Sequence, residues 1–221
     1  MNRVGILGGT LDPIHCGHLA AAAAARDAFD LPRVLVLPSN VPPHRPVQPL
    51  ASPFHRFAMA ALAVSGLPRL EACDDELRAD GPSYTADTLA RLHAGGHQPS
   101  QIFFITGADA FADIASWKRY PEVLDRAHFV VVSRPGYDSG ALADRLPDLR
   151  PRMRPAGAPA RTDGSTLIFL LEAPTPDVSS TAIRDRLRRG DPLSGLVPPL
   201  VETHIRQHRL YLPADQLHGQ S

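Results

Sequence analysis

The sequence has almost no lysine and no excess of either charge. Of the 23 basic residues only Lys118 is a lysine, and we attribute this bias to a GC-rich genome in preference to a role in anion chemistry. The 23 basic residues are matched by 23 acidic ones, whereas a protein that binds nucleic acid usually carries a basic excess. The balanced charge therefore argues against a nucleic-acid partner.

Cysteines and long apolar runs are also scarce. The two cysteines, Cys16 and Cys73, are too few for a disulfide framework and indicate a reducing setting. The apolar run at the N-terminus is too short for the hydrophobic part of a signal peptide. The alanine run 20–25 is too short to span a membrane. We therefore expect a cytoplasmic protein with no membrane partner.

Short aliphatic runs are what the sequence does contain, and they alternate with stretches of helical composition. Hydrophobic residues make up 43% of the 221 residues, which suits one domain with a real core. Continuous apolar strands predict a parallel sheet that is covered on both faces. The predicted fold is α/β, a Rossmann-like doubly wound parallel sheet in a single domain with a small C-terminal helical part. The predicted strands are 4–7, 34–37, 70–73, 102–105, 129–132 and 167–171.

The segments between these runs predict the helices and loops. Two stretches are interpreted as loops: the proline-rich residues 38–53, and residues 137–165, whose periodicity is weak. Whether either loop closes over a ligand is left open. The predicted helices are 17–29, 54–65, 85–94, 180–189 and 197–208, with short ones at 110–114 and 121–126.

Ligands of such sheets bind beyond the carboxyl ends of the strands, at the point where the strand order reverses. This rule directs attention to the loops after Leu7, Ile105 and Leu171. The dinucleotide motif G-x-G-x-x-G and the P-loop motif G-x-x-x-x-G-K-[ST] are both absent. Neither a hydride carrier with the first motif nor a P-loop hydrolase is supported.

The loop after the first strand combines two glycines with two histidines. Its residues 8–19 read G-G-T-L-D-P-I-H-C-G-H-L. Gly8 and Gly9 let the backbone approach a ligand closely. His18 falls in the first turn of the next helix, where N–H groups and the dipole favour an anion. The imidazole donors of His15 and His18 suit phosphate oxygens, so the loop predicts a phosphate site.

Two motifs of this sequence resemble those of a known enzyme family. Residues 8–19 resemble the G-G-T-F-D-P-x-H-x-G-H-L signature of the H-x-G-H nucleotidyltransferases, and residues 178–184, V-S-S-T-A-I-R, resemble their I-S-S-T-x-I-R motif. Leu11 replaces the usual Phe, and Cys16, whose role is left open, stands where Tyr or Phe is common. Further stretches resemble the bacterial nicotinate-nucleotide adenylyltransferases: residues 41–45, 82–89, 104–109, 133–136 and 196–198.

The resemblance covers residues 4–211 and implies a domain division. A nucleotidyltransferase domain is expected at 1–212, with its C-terminal helical part at 178–212, followed by a tail at 213–221. The implied enzyme transfers the adenylyl group of ATP to nicotinate mononucleotide and yields deamido-NAD and pyrophosphate, in NAD biosynthesis. The implied mechanism is a direct in-line attack on the α-phosphorus.

The resemblance also implies which residues bind ATP. His15, His18 and Arg184 are the candidate catalytic residues, and Gly107 with Asp109 is expected to hold the ribose. Ser180 and Arg184 are expected to bind the departing pyrophosphate from one face of a helix. The full implied ATP site consists of Gly8, Gly9, Thr10, His15, His18, Gly107, Asp109, Arg134, Ser180 and Arg184.

Four residues are implied for the acceptor. Trp117 is expected to stack on the pyridine ring, and Thr85 to hold the nicotinate carboxylate together with nearby backbone N–H groups. His44 and Arg45 are expected to reach the phosphates or the mononucleotide. Mg²⁺ is expected on the ATP phosphates, with phosphate oxygens and water as most of its ligands, and no protein metal site is predicted.

Other interpretations of the same residues stay open. Asp12 can act as a structural cap of the turn at Pro13. Ser179, Ser180 and Thr181 can form a plain helix N-cap while also binding phosphate, and Thr85 can cap the helix that starts there. The acceptor can be nicotinamide mononucleotide or another phosphorylated small molecule, and a non-catalytic nucleotide sensor is the alternative of another class. The oligomeric state, including a homo-oligomer, is not fixed by the sequence.

Overall fold

The central sheet has seven strands, all parallel. The computed structural model describes residues 3–43, 49–133, 139–158 and 164–212. The strands are β1 (Val4–Gly9), β2 (Val34–Pro38), β3 (Leu70–Ala72), β4 (Ile102–Gly107), β5 (His128–Ser133), β6 (Met153–Pro155) and β7 (Ile168–Glu172). Their order is β3-β2-β1-β4-β5-β7-β6, and each neighbouring pair is parallel. The predicted parallel α/β sheet is thereby confirmed.

Helices connect these strands on both faces of the sheet, as a doubly wound fold requires. They are α1 (Cys16–Ala28), α2 (Pro53–Val64), α3 (Thr85–Ala94), α4 (Ala108–Phe111), α5 (Ser139–Arg145), α6 (Ser180–Arg189) and α7 (Pro199–Gln207). One core holds Ile14, Phe169 and Ile183, and the other, on the opposite face, holds Ile6, Phe111 and Phe129. No helix within the described ranges is long and apolar enough to cross a membrane.

One prediction about local structure was wrong. The segment 137–165, interpreted as a loop, contains α5, a 3-10 helix at Pro147–Arg152 and strand β6. The short helix predicted at 121–126 is present as a 3-10 helix over Glu122–Asp125. Strand β6 was missed because its three residues, Met-Arg-Pro, are not an apolar run, and its proline is tolerated because the strand lies at the edge of the sheet.

The strand order places the ligand crevice between β1 and β4. From β1 the chain moves outward through β2 and β3, and then returns to the other side of β1 to form β4. Leu7 of β1 is in register with Val36 on one side and with Ile105 on the other. This reversal is the switch point at which such sheets bind ligands. The loops that follow Gly9 and Gly107 therefore flank the crevice, as predicted.

His128, the first residue of β5, is buried as a neutral imidazole. Its side chain is 1% exposed, lies between Phe103 and Phe169, and accepts a hydrogen bond at Nδ1 from the Leu167 N–H at 3.0 Å. Burial lowers the pKa of His128 from 6.5 to about 4. The unfolded chain therefore takes up this proton at a higher pH than the folded chain does.

We expect this difference to make the fold labile to acid. His128 contributes stability that is fully present above pH 6.5 and is lost as the pH falls towards 4. The free energy of unfolding should fall by roughly 3 kcal/mol over that interval on account of His128. Urea unfolding at pH 7 and pH 4.5 measures the loss. His128→Gln keeps an acceptor but does not titrate, so equal pH slopes in both proteins would contradict the assignment.

Candidate active site

The loop after β1 ends in two histidines that cap each other's backbone. His15 is the N-cap residue of α1, and its Nδ1 accepts from the His18 N–H at 3.4 Å. In return the His18 Nδ1 accepts from the His15 N–H at 3.2 Å. The two rings are stacked, with centroids 3.6 Å apart. This arrangement is a capping box built from imidazoles instead of a hydroxyl and a carboxylate.

The capping box fixes which nitrogen of each ring carries the proton. Because both Nδ1 atoms accept from backbone N–H groups, the neutral rings of His15 and His18 are protonated at Nε2. Each ring is therefore an N–H donor at the N-terminus of α1, where the helix dipole also favours negative charge. His15 is buried and His18 is partly exposed. The pair is suited to bind phosphate oxygens.

Gly17 stands at a position where a side chain would be tightly packed. A Cβ atom at this position would lie 3.1 Å from the His15 ring and 3.2 Å from Cγ1 of Val178. Such contacts are too tight unless the His15 ring or the Val178 segment moves. The glycine of the H-x-G-H motif therefore lets His15 keep its capping position against the C-terminal part of the domain.

The C-terminal motif is anchored directly on this loop. The Ser180 hydroxyl donates to the Pro13 carbonyl at 2.9 Å, and Nη1 of Arg184 donates to the Asp12 carbonyl at 2.7 Å. Ser179 caps α6 by accepting from the Ala182 N–H, which confirms its structural interpretation. The structure therefore brings Ser180 and Arg184, predicted from one end of the chain, to the histidine loop at the other end.

The buried carboxylate of Asp12 connects the loop after β1 to distant segments of the chain. Its carboxylate is 4% exposed and accepts from the backbone N–H groups of Leu50 and Ala51, at 2.9 and 3.1 Å, and from the Tyr211 hydroxyl at 2.8 Å. Burial, together with the Asp12 carboxylate, raises the pKa of Tyr211 far above its usual range. Asp12 therefore has a structural role, but its carboxylate binds donors from distant segments instead of capping the turn at Pro13 as expected.

Arg56 is a buried residue beside the loop after β1 that the sequence analysis missed. Its side chain is fully buried, and burial lowers its pKa, an effect opposed by the Asp12 carboxylate. The guanidinium donates hydrogen bonds to three segments: the loop after β1, the start of the loop after β2, and the segment before α2. The carbonyl oxygens that accept its hydrogen bonds belong to Thr10, Ser39, Asn40 and Ala51.

A signal for Arg56 does exist in the sequence. The buried side of α2 consists of Arg56, Met59, Ala60, Ala63 and Val64. An arginine at the first position of an otherwise apolar i, i+3, i+4, i+7 stripe indicates a buried charge that needs partners.

Gly107 and Asp109 lie at the other side of the crevice. Gly107 ends β4 and is the N-cap residue of α4, and Asp109 is exposed in the first turn of that helix. A Cβ atom at Gly107 would meet no atom of the described chain within 4 Å, and its φ of −75° does not require glycine. Neither packing against the described residues nor backbone conformation therefore explains the glycine at this position.

Thr85 and Trp117 belong to neighbouring segments. Lys118, next to Trp117, pairs with Asp87 of α3 at 2.8 Å and lies over the Tyr84 ring. Thr85 is the first residue of α3, whereas Tyr84 is its N-cap, so the alternative in which Thr85 caps the helix was wrong.

The Trp117 ring has a structural role as well. It packs edge-on against Phe104 and Phe129 and stays partly exposed. Of the other predicted residues, Gly8 and Gly9 end β1, and the Thr10 carbonyl accepts from Arg56. His44, Arg45 and Arg134 lie outside the described residues.

Comparison with known proteins places these features in a family. Residues 6–186 match the family described as Cytidylyltransferase-like. The chain is 39% identical to a probable nicotinate-nucleotide adenylyltransferase of Moorella thermoacetica, over 96% of this chain and 92% of that protein. It is 41% identical to a protein of the same name from a Roseiflexus species, over 94% of this chain and 97% of the relative.

Solved structures support the fold. A Plasmodium falciparum nicotinic acid mononucleotide adenylyltransferase complexed with NaAD superposes with a TM-score of 0.71 at 16% identity, over 96% of this chain and 98% of that one. Such low identity speaks for the fold alone, whereas the relatives above match in sequence over nearly their whole length. The chain belongs to the nicotinate-nucleotide adenylyltransferase family, within the Cytidylyltransferase-like proteins.

Proposed function

We propose that the protein transfers the adenylyl group of ATP to nicotinate mononucleotide, forming deamido-NAD and pyrophosphate in NAD biosynthesis. The observation that carries this proposal is the contact between the two motifs. Ser180 and Arg184 of α6 hydrogen-bond to the loop that ends in His15 and His18, at the switch point of the sheet. This arrangement gathers cationic and N–H donors where a nucleoside triphosphate is expected to bind.

The chemistry follows from these donors. A phosphate oxygen of the mononucleotide attacks the α-phosphorus of ATP in line, and pyrophosphate departs. Because that phosphate is already anionic near neutral pH, positioning and neutralisation of charge carry the catalysis and no strong base is required. The Nε2–H groups of His15 and His18 stabilise the transferring group. Arg184, with Ser180 beside it, binds the phosphates that leave.

The residues around the loop suit a magnesium ion that ATP itself brings. The carboxylate of the loop, Asp12, already accepts from three donors in a buried position and is not placed to act as a ligand. Phosphate oxygens and water are therefore the expected ligands. When bound, Mg²⁺ neutralises charge on the phosphates, and the chain's own residues supply orientation.

The acceptor pocket is proposed to lie between Thr85 and Trp117. Thr85 stands at the positive end of the α3 dipole, which favours a carboxylate. The Lys118–Asp87 ion pair holds the Trp117 segment against this helix end. His44, Arg45 and Arg134 are proposed for the phosphate and adenine contacts that the family resemblance implies. The two unpaired cysteines suit a reducing compartment such as the cytoplasm.

Pyrophosphate release from Mg·ATP tests the proposal, with nicotinate mononucleotide compared with its amide. A strong preference for the acid supports both the reaction and the Thr85–Trp117 pocket. Equal use of both acceptors supports adenylyl transfer and contradicts the acid-selective pocket. If ATP binds but no pyrophosphate is released with either acceptor, the proposed reaction is wrong and the nucleotide-sensor alternative gains support.

Substituting Trp117 with alanine is expected to raise KM for the mononucleotide by roughly 3–10-fold, the range of a lost aromatic contact. The KM for ATP and kcat should change by less than about twofold. Because Trp117 also packs on Phe104 and Phe129, the thermal midpoint has to be measured beside the kinetics. A folded variant with an unchanged KM for the mononucleotide would remove Trp117 from the acceptor site.

A further inference from the structure

Three histidines from two helices meet at a place that the proposed reaction does not use. His55 lies in the first turn of α2, His204 lies on α7, and His208 is the C-cap residue of α7. Nδ1 of His55 and Nε2 of His204 are 3.1 Å apart. One ring nitrogen from each of the three residues lies within 4.8 Å of the other two. We call this group the α2–α7 histidine cluster.

The spacing of these nitrogens suits a transition metal. Zinc binds imidazole nitrogens at about 2.0–2.1 Å, which puts two ligands of a tetrahedral site about 3.3 Å apart. The His55–His204 distance is already close to that value. His204 and His208 are four residues apart on one side of a helix, a spacing from which two imidazoles reach a common ion. The third nitrogen lies within 4.8 Å of the other two and has to move closer for all three to bind one ion.

The charge and exposure of the cluster also suit a metal. A nitrogen-to-nitrogen hydrogen bond between His55 and His204 needs one ring to be a neutral acceptor. His55 and His204 are half-buried and His208 is exposed, so an ion can enter from solvent and keep a water ligand.

The chemical class of the ion follows from the donors. The cluster identified among the described residues consists of imidazoles alone. Imidazole suits Zn²⁺, Ni²⁺, Cu²⁺ and Co²⁺, whereas Mg²⁺ and Ca²⁺ prefer oxygen ligands. The structural alternative is a set of histidines that only hydrogen-bond to one another, and the two interpretations differ in what added metal does.

We propose that His55, His204 and His208 form a binding site for a divalent transition metal, with zinc as the type ion and water completing the coordination. The ion would join α2 to α7, which pack against each other. Both helices continue into supports of the active-site loop. Arg56 follows His55 and holds the Thr10 carbonyl, and Tyr211, shortly after His208, donates to Asp12. Metal at the cluster would therefore stabilise the helix that carries Arg56 and the helix that precedes Tyr211, the two residues that reach the loop after β1.

Zinc binding to the full, untagged and metal-free chain tests this site. Calorimetric titration with ZnCl₂ should give one site, and His204→Gln should weaken it by at least about tenfold. His208→Gln, at an exposed position, should do the same. His93→Gln removes a histidine outside the cluster and should leave the affinity unchanged. Cobalt added in place of zinc should produce visible ligand-field bands that are lost in both cluster variants.

Thermal unfolding supplies a second readout that does not depend on activity. At a zinc concentration about 100-fold above Kd, the midpoint of the wild type and of His93→Gln should rise by about 5–10 °C. The midpoints of His204→Gln and His208→Gln should rise by no more than about half as much, because a tenfold weaker site is stabilised by about half the free energy at that zinc concentration. Absence of zinc binding by the wild type would overturn the proposal. Undiminished affinity in both cluster variants would also overturn it, because the metal would then be bound by other donors.

Discussion

Substituting His18 with alanine is expected to lower kcat/KM for adenylyl transfer by roughly 10²–10³-fold while the protein stays folded. Losing one preorganised donor to developing charge costs about that much in enzymes that stabilise oxyanions. The Nε2–H of His18 is such a donor because the ring's Nδ1 already accepts from the His15 N–H. His18 is also partly exposed, so its removal leaves no large cavity.

The same substitution also removes half of the capping box, and the two effects can be separated. Loss of a helix cap costs about 0.5–2 kcal/mol. His18→Asn keeps a short side-chain acceptor for the His15 N–H but cannot place a donor where Nε2 stands. We expect His18→Asn to recover part of the thermal midpoint and little of the rate. If asparagine restores the rate, His18 acts by positioning His15. A folded alanine variant with near-normal turnover would refute the catalytic role.

Much of the fold could be predicted because its signals are local. Helix α6 was predicted over its observed bounds, 180–189, since a serine precedes it and Gly190, with φ of 75°, ends it in the left-handed conformation. The strands β1, β4 and β5 are continuous apolar runs in a sheet that is buried on both faces. In each case neighbouring residues alone determine the element.

Elements that depend on distant partners could not be predicted in this way. Strand β6 has three residues, of which one is buried, and it exists as a strand because it pairs with β7. The short 3-10 helices likewise lack the length over which a helical period becomes visible. Propensity is too weak a guide where tertiary contacts decide.

The candidate site shows the same difference between local motifs and contacts that depend on distant partners. The structure brings Ser180 and Arg184 to the loop that ends in His15 and His18, because the parallel sheet brings this loop and α6 to one edge. Their supports were not predicted. Tyr211 reaches Asp12 across 199 residues of sequence, and His204 reaches His55 across 149. No spacing rule covers such distances, so these contacts become visible only in three dimensions.

Substituting Arg56 with methionine is expected to lower the free energy of unfolding by about 3–5 kcal/mol, the cost of breaking a buried charged network from one side. Methionine fills much of the space but leaves the carbonyl oxygens of Thr10, Ser39, Asn40 and Ala51 without their donor. The Asp12 carboxylate also loses its nearby positive charge. Because Thr10 belongs to the loop that is proposed to bind the ATP phosphates, we expect kcat/KM to fall together with stability.

Arg56→Lys distinguishes charge from shape at this position. Lysine keeps the positive charge but cannot present donors in a planar fork, so we expect it to recover less than half of the lost stability. Arg78, which is exposed and forms an ion pair with Asp74, provides the matched control, and Arg78→Met should change the free energy of unfolding by no more than about 0.5 kcal/mol. Urea unfolding of the four proteins measures these differences. If Arg56→Met were as stable as Arg78→Met, the hydrogen bonds of the buried guanidinium would not be what stabilises the loop after β1. If lysine restored full stability, charge alone would suffice and the fork of hydrogen bonds would be dispensable.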